Sequence, residues 1–158
     1  MKPKVYIETT VISYLTSRPS RDLRVAAYQQ STQDWWQSRR SAFDLYASQL
    51  VIQEASRGDK EAAELRLDKL KEVTLLNATD EALVLAEKLI QRNLIPQTVA
   101  EDVAHIAIAT ANAMDYLLTW NFKHTANATI RNKVEALCRL EGYEPPIICT
   151  PEELIEEL

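Results

Sequence analysis

Five short apolar runs recur along the chain with helix-period segments between them, and this alternation constrains the fold more than any other feature. The first run, Val5-Tyr6-Ile7, is apolar at consecutive positions and stops at Glu8-Thr9-Thr10. A strand apolar on both faces suits the middle of a parallel sheet covered by helices, whereas a half-exposed antiparallel strand would alternate. Val11, Ile12 and Leu15 then resume at helical spacing. A longer helix is expected over 21–38, a strand near Phe43 to Ala47, and a helix from about Ser48 to Arg57 that Gly58 stops. Asp59 can cap the next helix, whose Ala63, Leu67 and Leu70 share a face, and Glu72 to Leu76 reads as a strand. Thr79 before Asp80 and Glu81 supplies a capping oxygen and two early acids, and Leu83, Ala86 and Ile90 give that helix one buried face.

Pro96 breaks the pattern because it lacks the donor a helix interior needs. Thr98-Val99-Ala100-Glu101 matches a capping box, and the helix begun there, running to about Ala113, is apolar on most sides and so expected to be buried. Asp115 to Thr119 reads as a strand, followed by Trp120-Asn121 and by an amphipathic helix carrying Ile130, Val134 and Leu137 that Gly142 can end. Ile147 to Cys149 is the last strand, and Thr150-Pro151-Glu152-Glu153 signals a short acidic C-terminal helix over 151–158. The order predicts one α/β domain over 1–158, with a mostly parallel sheet and helices on both faces, reached through right-handed crossovers.

Charge and composition narrow the function. Eighteen basic against 23 acidic residues give a net charge of −5, which argues against a general electrostatic affinity for nucleic acid. The average conceals a gradient, because residues 1–80 carry 12 basic and 11 acidic side chains and residues 81–158 carry 6 and 12. Local basic surfaces around Arg18, Arg21 and Arg24, or around Arg39 and Arg40, stay open beside the simpler reading of solvated faces. No apolar run approaches the roughly 18 residues a membrane span needs, and the opening MKPKVYIETT lacks a signal-peptide core, so a cytoplasmic protein is expected. Cys138 and Cys149 form neither a paired metal-ligand spacing nor a disulfide framework. With two glycines in the chain there is no GxGxxG, Walker loop or GxSxG.

In a sheet of this kind ligands bind outside the carboxyl ends of the strands, where the strand order reverses. Glu8 ends the first strand there; Thr119 and Asn121 lie at the same end of the strand that starts at Asp115. Asp115 itself is four residues back, roughly 13 Å from that edge, and is excluded. Asp102 sits in the first turn of the buried helix and shares a stripe with His105, Ala109 and Asn112. A buried carboxylate must face a cation, donors or water, while an acid in this first turn can also be one that the helix dipole stabilises. Glu54 can point to the same edge or be a solvated helix glutamate. Glutamate is a poor N-cap, so capping alone explains Glu8 badly. His105 reads as a satisfied helix histidine and His124 as an exposed one, and neither supports a histidine metal centre. Trp120 suits packing beside the site or stacking on a base. Trp35 and Trp36 point about 100° apart on a helix, so either the buried face is wide or one ring is an exposed anchor for a partner.

Taken together, YIETT, EDVAHIAIA and DYLLTWN resemble the PIN-domain family, and most of all its small single-domain nucleases grouped with VapC-type toxins. The resemblance covers nearly the whole chain and implies a three-layer α/β/α sandwich and a Mg²⁺- or Mn²⁺-dependent endoribonuclease. It carries the family's acids onto Glu8, Glu54 and Asp102 as metal ligands and its fourth acidic position onto Asn121, with Thr119 beside it. Glutamate replaces the usual aspartate at the first position and a neutral amide stands at the last, which favours one strongly bound metal over two. RNA as substrate, a small antitoxin that inserts a segment near the acidic cleft, a homodimer and no membrane association are what the toxin analogy implies. The alternative is a PIN-like domain that binds RNA or protein and cleaves weakly. A receiver-like phosphorylation domain fares worse, because Leu75-Leu76-Asn77 stands where its aspartate would end the third strand.

Overall fold

The computed structural model describes residues 1–92, 100–123, 125 and 127–155. Five strands, β1 (Lys4–Ile7), β2 (Asp44–Ser48), β3 (Thr74–Leu76), β4 (Tyr116–Leu118) and β5 (Ile147–Cys149), form one sheet in the order β3-β2-β1-β4-β5. Every pairing is parallel, with Tyr6 opposite Tyr46 on one side and Leu117 on the other. Parallel neighbours cannot be joined by tight turns, and the helices supply the crossovers. These are α1 (Thr9–Thr16), α2 (Leu23–Ser38), α3 (Gln49–Ala55), α4 (Lys60–Leu70), α5 (Asp80–Gln91), α6 (Ala100–Ala111) and α7 (Ala128–Leu140). Helices α1 to α4 pack among themselves and α5 to α7 do the same, so the sheet lies between two helical layers. The α/β/α sandwich expected from the alternating runs is therefore present.

Burial follows from this layering. Val5, Tyr6 and Ile7 are wholly buried because β1 has strands on both sides and helices on both faces. Helix α6 buries Val103 and every residue from His105 to Thr110, in keeping with its all-round apolar sequence. Asp22, Ser48, Asp59, Thr79 and Asn127 cap α2, α3, α4, α5 and α7 by accepting from early backbone N–H groups. Gly58 and Gly142 take positive φ values of 82° and 89° just after helix ends. Of the capping box Thr98-Val99-Ala100-Glu101, the first two residues lie outside the described set, as does the break at Pro96; the Glu101 carboxylate pairs with Arg57 at 3.0 and 3.3 Å.

One open alternative is decided and two expectations change. Trp35 and Trp36 are both buried, the first against the Phe43 ring at 5.7 Å and the second beneath the Arg40 guanidinium at 4.4 Å. The buried face of α2 is wide and offers no exposed tryptophan anchor. The C-terminal capping box forms reciprocally, Thr150 N–H to Glu153 and Glu153 N–H to Thr150, but it closes successive turns over 151–154 rather than a helix; residues 156–158 lie outside the described set. Glu8 is the N-cap of α1, its carboxylate accepting from Thr10 N–H at 3.1 Å.

Candidate functional site

The strand order reverses beside β1, because β1 is followed in sequence by β2 on one side while β4 occupies the other. Glu8 continues the β1 ladder one step past the strand through its N–H to Leu118 O at 3.0 Å, and Thr119 does the same for β4 through Cys149 O at 2.9 Å. The sheet backbone therefore fixes both residues at the carboxyl edge, side by side. Helix α6 starts at this edge and α3 follows β2 out of it, so residues from both helical layers meet over the switch point.

Glu8 is 4% exposed, and three donors hold its carboxylate. Oε1 accepts from the Thr10 hydroxyl at 2.5 Å and the Thr119 hydroxyl at 2.6 Å, and Oε2 from the Thr10 N–H. Each hydroxyl is also an acceptor, Thr10 from Trp120 N–H at 2.9 Å and Thr119 from Asn121 N–H at 3.0 Å. The two threonines thus bind the carboxylate and the turn after β4 into one unit. Thr10 was not singled out from the sequence; its place two residues after Glu8, on the first helical turn, was the available signal.

Glu54 enters from α3. Its Oε1 accepts from the Thr9 hydroxyl and, at 2.7 Å, bonds His105 Nε2. Burial pulls its pKa upward, but the hydrogen bond and charge of His105, the Thr9 hydroxyl and Glu101 outweigh burial and hold the carboxyl at about 2. Glu54 is therefore an anion across the whole physiological range. Behind it, His105 Nδ1 bonds the Tyr6 hydroxyl at 2.7 Å, and Tyr6 bonds Ser48 Oγ at 2.8 Å. Burial, and the charges of Glu8 and Glu54, push the Tyr6 phenol well above its usual range against the hydrogen bond from Ser48, so it stays neutral. Glu54 only accepts, which makes Nε2 the donor on the imidazole. A line of polar groups thus crosses the sheet from Ser48 to Glu54 within an otherwise apolar core.

Glu8, Glu54 and His105 each bring one possible ligand atom within 4.8 Å of the others. The compact group contains His105 where the sequence reading placed Asp102. Asp102 is half-buried one helical turn before His105 on the same stripe of α6, at the helix end that faces the carboxyl edge. His105 is 1% exposed at its side chain and both ring nitrogens are engaged, so its present role is to tether Glu54. Asn121 is half-buried, directly after Trp120. Asp115 lies at the opposite edge, accepting from Lys4 N–H at 2.8 Å. Trp120 is packed, 4% exposed, with its indole N–H on Thr32 at 2.8 Å, and His124 lies outside the described residues.

The fold has a counterpart among solved structures. It is similar to a chain of the crystal structure of VapBC2 from Rickettsia felis bound to a DNA fragment from their promoter, with a TM-score of 0.59 and 15% identity over 93% of this chain and 98% of that one. The fold is PIN-like. At that identity the likeness is one of architecture. No family model matches the chain, and no curated protein matches it. Among the described residues, no helix is long and apolar enough to cross a membrane.

Proposed function

We propose that the chain is a Mg²⁺- or Mn²⁺-dependent endoribonuclease that hydrolyses RNA phosphodiester bonds as the toxin of a type II toxin–antitoxin pair. The observation that carries the reading is the convergence of two carboxylates from distant segments, Glu8 and Glu54, at the switch point of a PIN-like sheet. The donor set fits a hard cation. Oε1 of each carboxylate accepts two hydrogen bonds, which fills its lone pairs, whereas Oε2 of Glu8 accepts only the Thr10 N–H and keeps a lone pair for a ligand. With His105 engaged at both nitrogens the remaining donors are oxygens, which suit Mg²⁺ or Mn²⁺ better than zinc.

Glu8, Glu54 and Asp102 would hold the ion. Bound there, it supplies an acidified water and charge neutralisation for a transferring phosphoryl group. Thr10 and Thr119 keep Glu8 aimed, and Thr9 and His105 do so for Glu54. Asn121, its backbone held by Thr119, provides a neutral amide that donates to a phosphate or a water where the family pattern has an acid. An antitoxin that presents a cation to these carboxylates would block the site, and a homodimer in a soluble, cytoplasmic setting completes the reading.

Purified protein should cleave single-stranded RNA in Mn²⁺ and lose the activity in EDTA. Glu8→Gln and Asp102→Asn should each slow cleavage by at least about 10- to 100-fold, the loss that even an outer-shell partner of a metal produces. Cleavage indifferent to Asp102→Asn would reject the assignment. The neutral Asn121 favours one other reading, a PIN-like domain that binds RNA or protein with little turnover; stoichiometric RNA binding without cleavage in Mn²⁺ would select it.

A further inference from the structure

We infer that Phe122 is a stacking platform for a base of single-stranded RNA, next to the nucleotide whose phosphate meets the carboxylates; this rests on the nuclease reading above. Phe122 is 47% exposed, yet it is held in place. Its N–H bonds Trp120 O at 2.9 Å, a tight turn that fixes the backbone where β4 leaves the sheet. Its ring touches the Trp120 ring at 5.8 Å and 65° and the Tyr28 ring at 5.5 Å and 51°. Neither neighbour stacks flat on Phe122, so the two contacts brace the ring while it stays half exposed. Trp120 and Tyr28, by contrast, stack on each other at 4.6 Å and 25°, and form a wall whose indole Thr32 locks.

Position ties this ring to the acidic site. Thr119, three residues earlier, bonds Glu8, and three residues span at most about 10 Å even when extended. Thr10 joins the same carboxylate to the Trp120 backbone. A strand whose phosphate sits at Glu8 therefore has a neighbouring base within reach of Phe122. The charge around the ring suits the backbone of such a strand: Lys123 follows Phe122 directly and is exposed, and Arg24, exposed, precedes Tyr28 by one turn of α2. A braced aromatic face beside cations is how proteins bind single strands without reading sequence, because every base offers a π face.

The test uses the full chain and a single-stranded RNA hexamer carrying 2-aminopurine, in Ca²⁺ to hold the strand uncut, with 2-aminopurine quenching as the readout of stacking. Phe122→Ala should weaken binding about 5- to 100-fold and abolish quenching, the range a lost base–aromatic stack gives. Phe122→Trp should retain both, and Leu140→Ala, an exposed position on α7, should match the wild type. Wild-type affinity and quenching in Phe122→Ala overturn the proposal, as does loss of binding to a protein partner while RNA binding persists. Mn²⁺ cleavage by the wild type is measured separately. Cleavage with Phe122-independent RNA binding removes the platform alone; Phe122-dependent binding without cleavage removes the nuclease reading and supports the platform; neither binding nor cleavage removes both.

Discussion

Replacing Glu54 with glutamine should flatten the acid limb of the stability curve. In the unfolded chain this carboxyl titrates near 4.5, and in the fold it titrates at about 2. Between those values the unfolded state binds more protons than the native state, so stability falls as pH drops. The contribution is complete above about pH 5 and is lost as pH falls through about 2. A gap of about 2.5 pH units at about 1.4 kcal/mol each gives about 3.5 kcal/mol; the side chain is 14% exposed, so little of that is removed by solvent screening. The glutamine keeps the shape and an acceptor for Thr9 and His105 but cannot titrate. Urea unfolding in EDTA at pH 7, 5, 4, 3 and 2 would show the wild type losing about 2–3 kcal/mol more than the variant between pH 5 and 2. Parallel curves would mean that His105 and Thr9 do not hold Glu54 as an anion, and the electrostatic account of the site would fail.

Thr119→Val removes the hydroxyl that donates to Glu8 and accepts from Asn121 N–H, both within the buried edge; a hydrogen bond to a charged group predicts a loss of about 1.5–3 kcal/mol in urea unfolding. Tyr6→Phe keeps the ring but leaves His105 Nδ1 and Ser48 Oγ facing each other without the phenol, and should cost about 1–3 kcal/mol in the same assay; a neutral result would show that water replaces the hydroxyl. Burial raises both thiols, Cys149 up to about 12, so neither Cys138 nor Cys149 should react with a disulfide reagent at pH 8 until the chain is unfolded in denaturant; fast labelling of the native protein would contradict their burial.

The architecture was legible because its cause is local. Val5-Tyr6-Ile7 had to be a central strand, since only helices on both faces and strands on both sides can bury consecutive apolar residues. The caps at Asp59 and Thr79 and the stops at Gly58 and Gly142 are likewise written in single residues. What stayed open or failed depended on neighbours from elsewhere. Trp35 and Trp36 are both covered because Phe43 and Arg40, beyond the end of α2, fold back over them, a contact no helical wheel contains. The C-terminal capping box formed, yet a box only lowers the cost of starting a helix, and 151–154 stay in successive turns.

The candidate site divides along the same line. Glu8, Thr119 and Asn121 could be placed from topology alone, because strand ends beside a reversal of order must converge. Glu54 could be read either as a solvated helix glutamate or as pointing to the same edge, and His105 as a satisfied core histidine. Each was half the explanation of the other: the histidine is satisfied by the glutamate, and that bond turns the glutamate inward. The missing clue was Tyr6, the one hydroxyl in the otherwise apolar run Val5-Tyr6-Ile7. A phenol there needs a partner from the layer it faces, and α6 supplies a single imidazole at the depth of β1. Once Tyr6 is satisfied through Nδ1, Nε2 is forced toward the carboxyl edge, and an acceptor there becomes a requirement of the core before it is a requirement of any chemistry. Substituting Tyr6 therefore tests stability and the aim of Glu54 together.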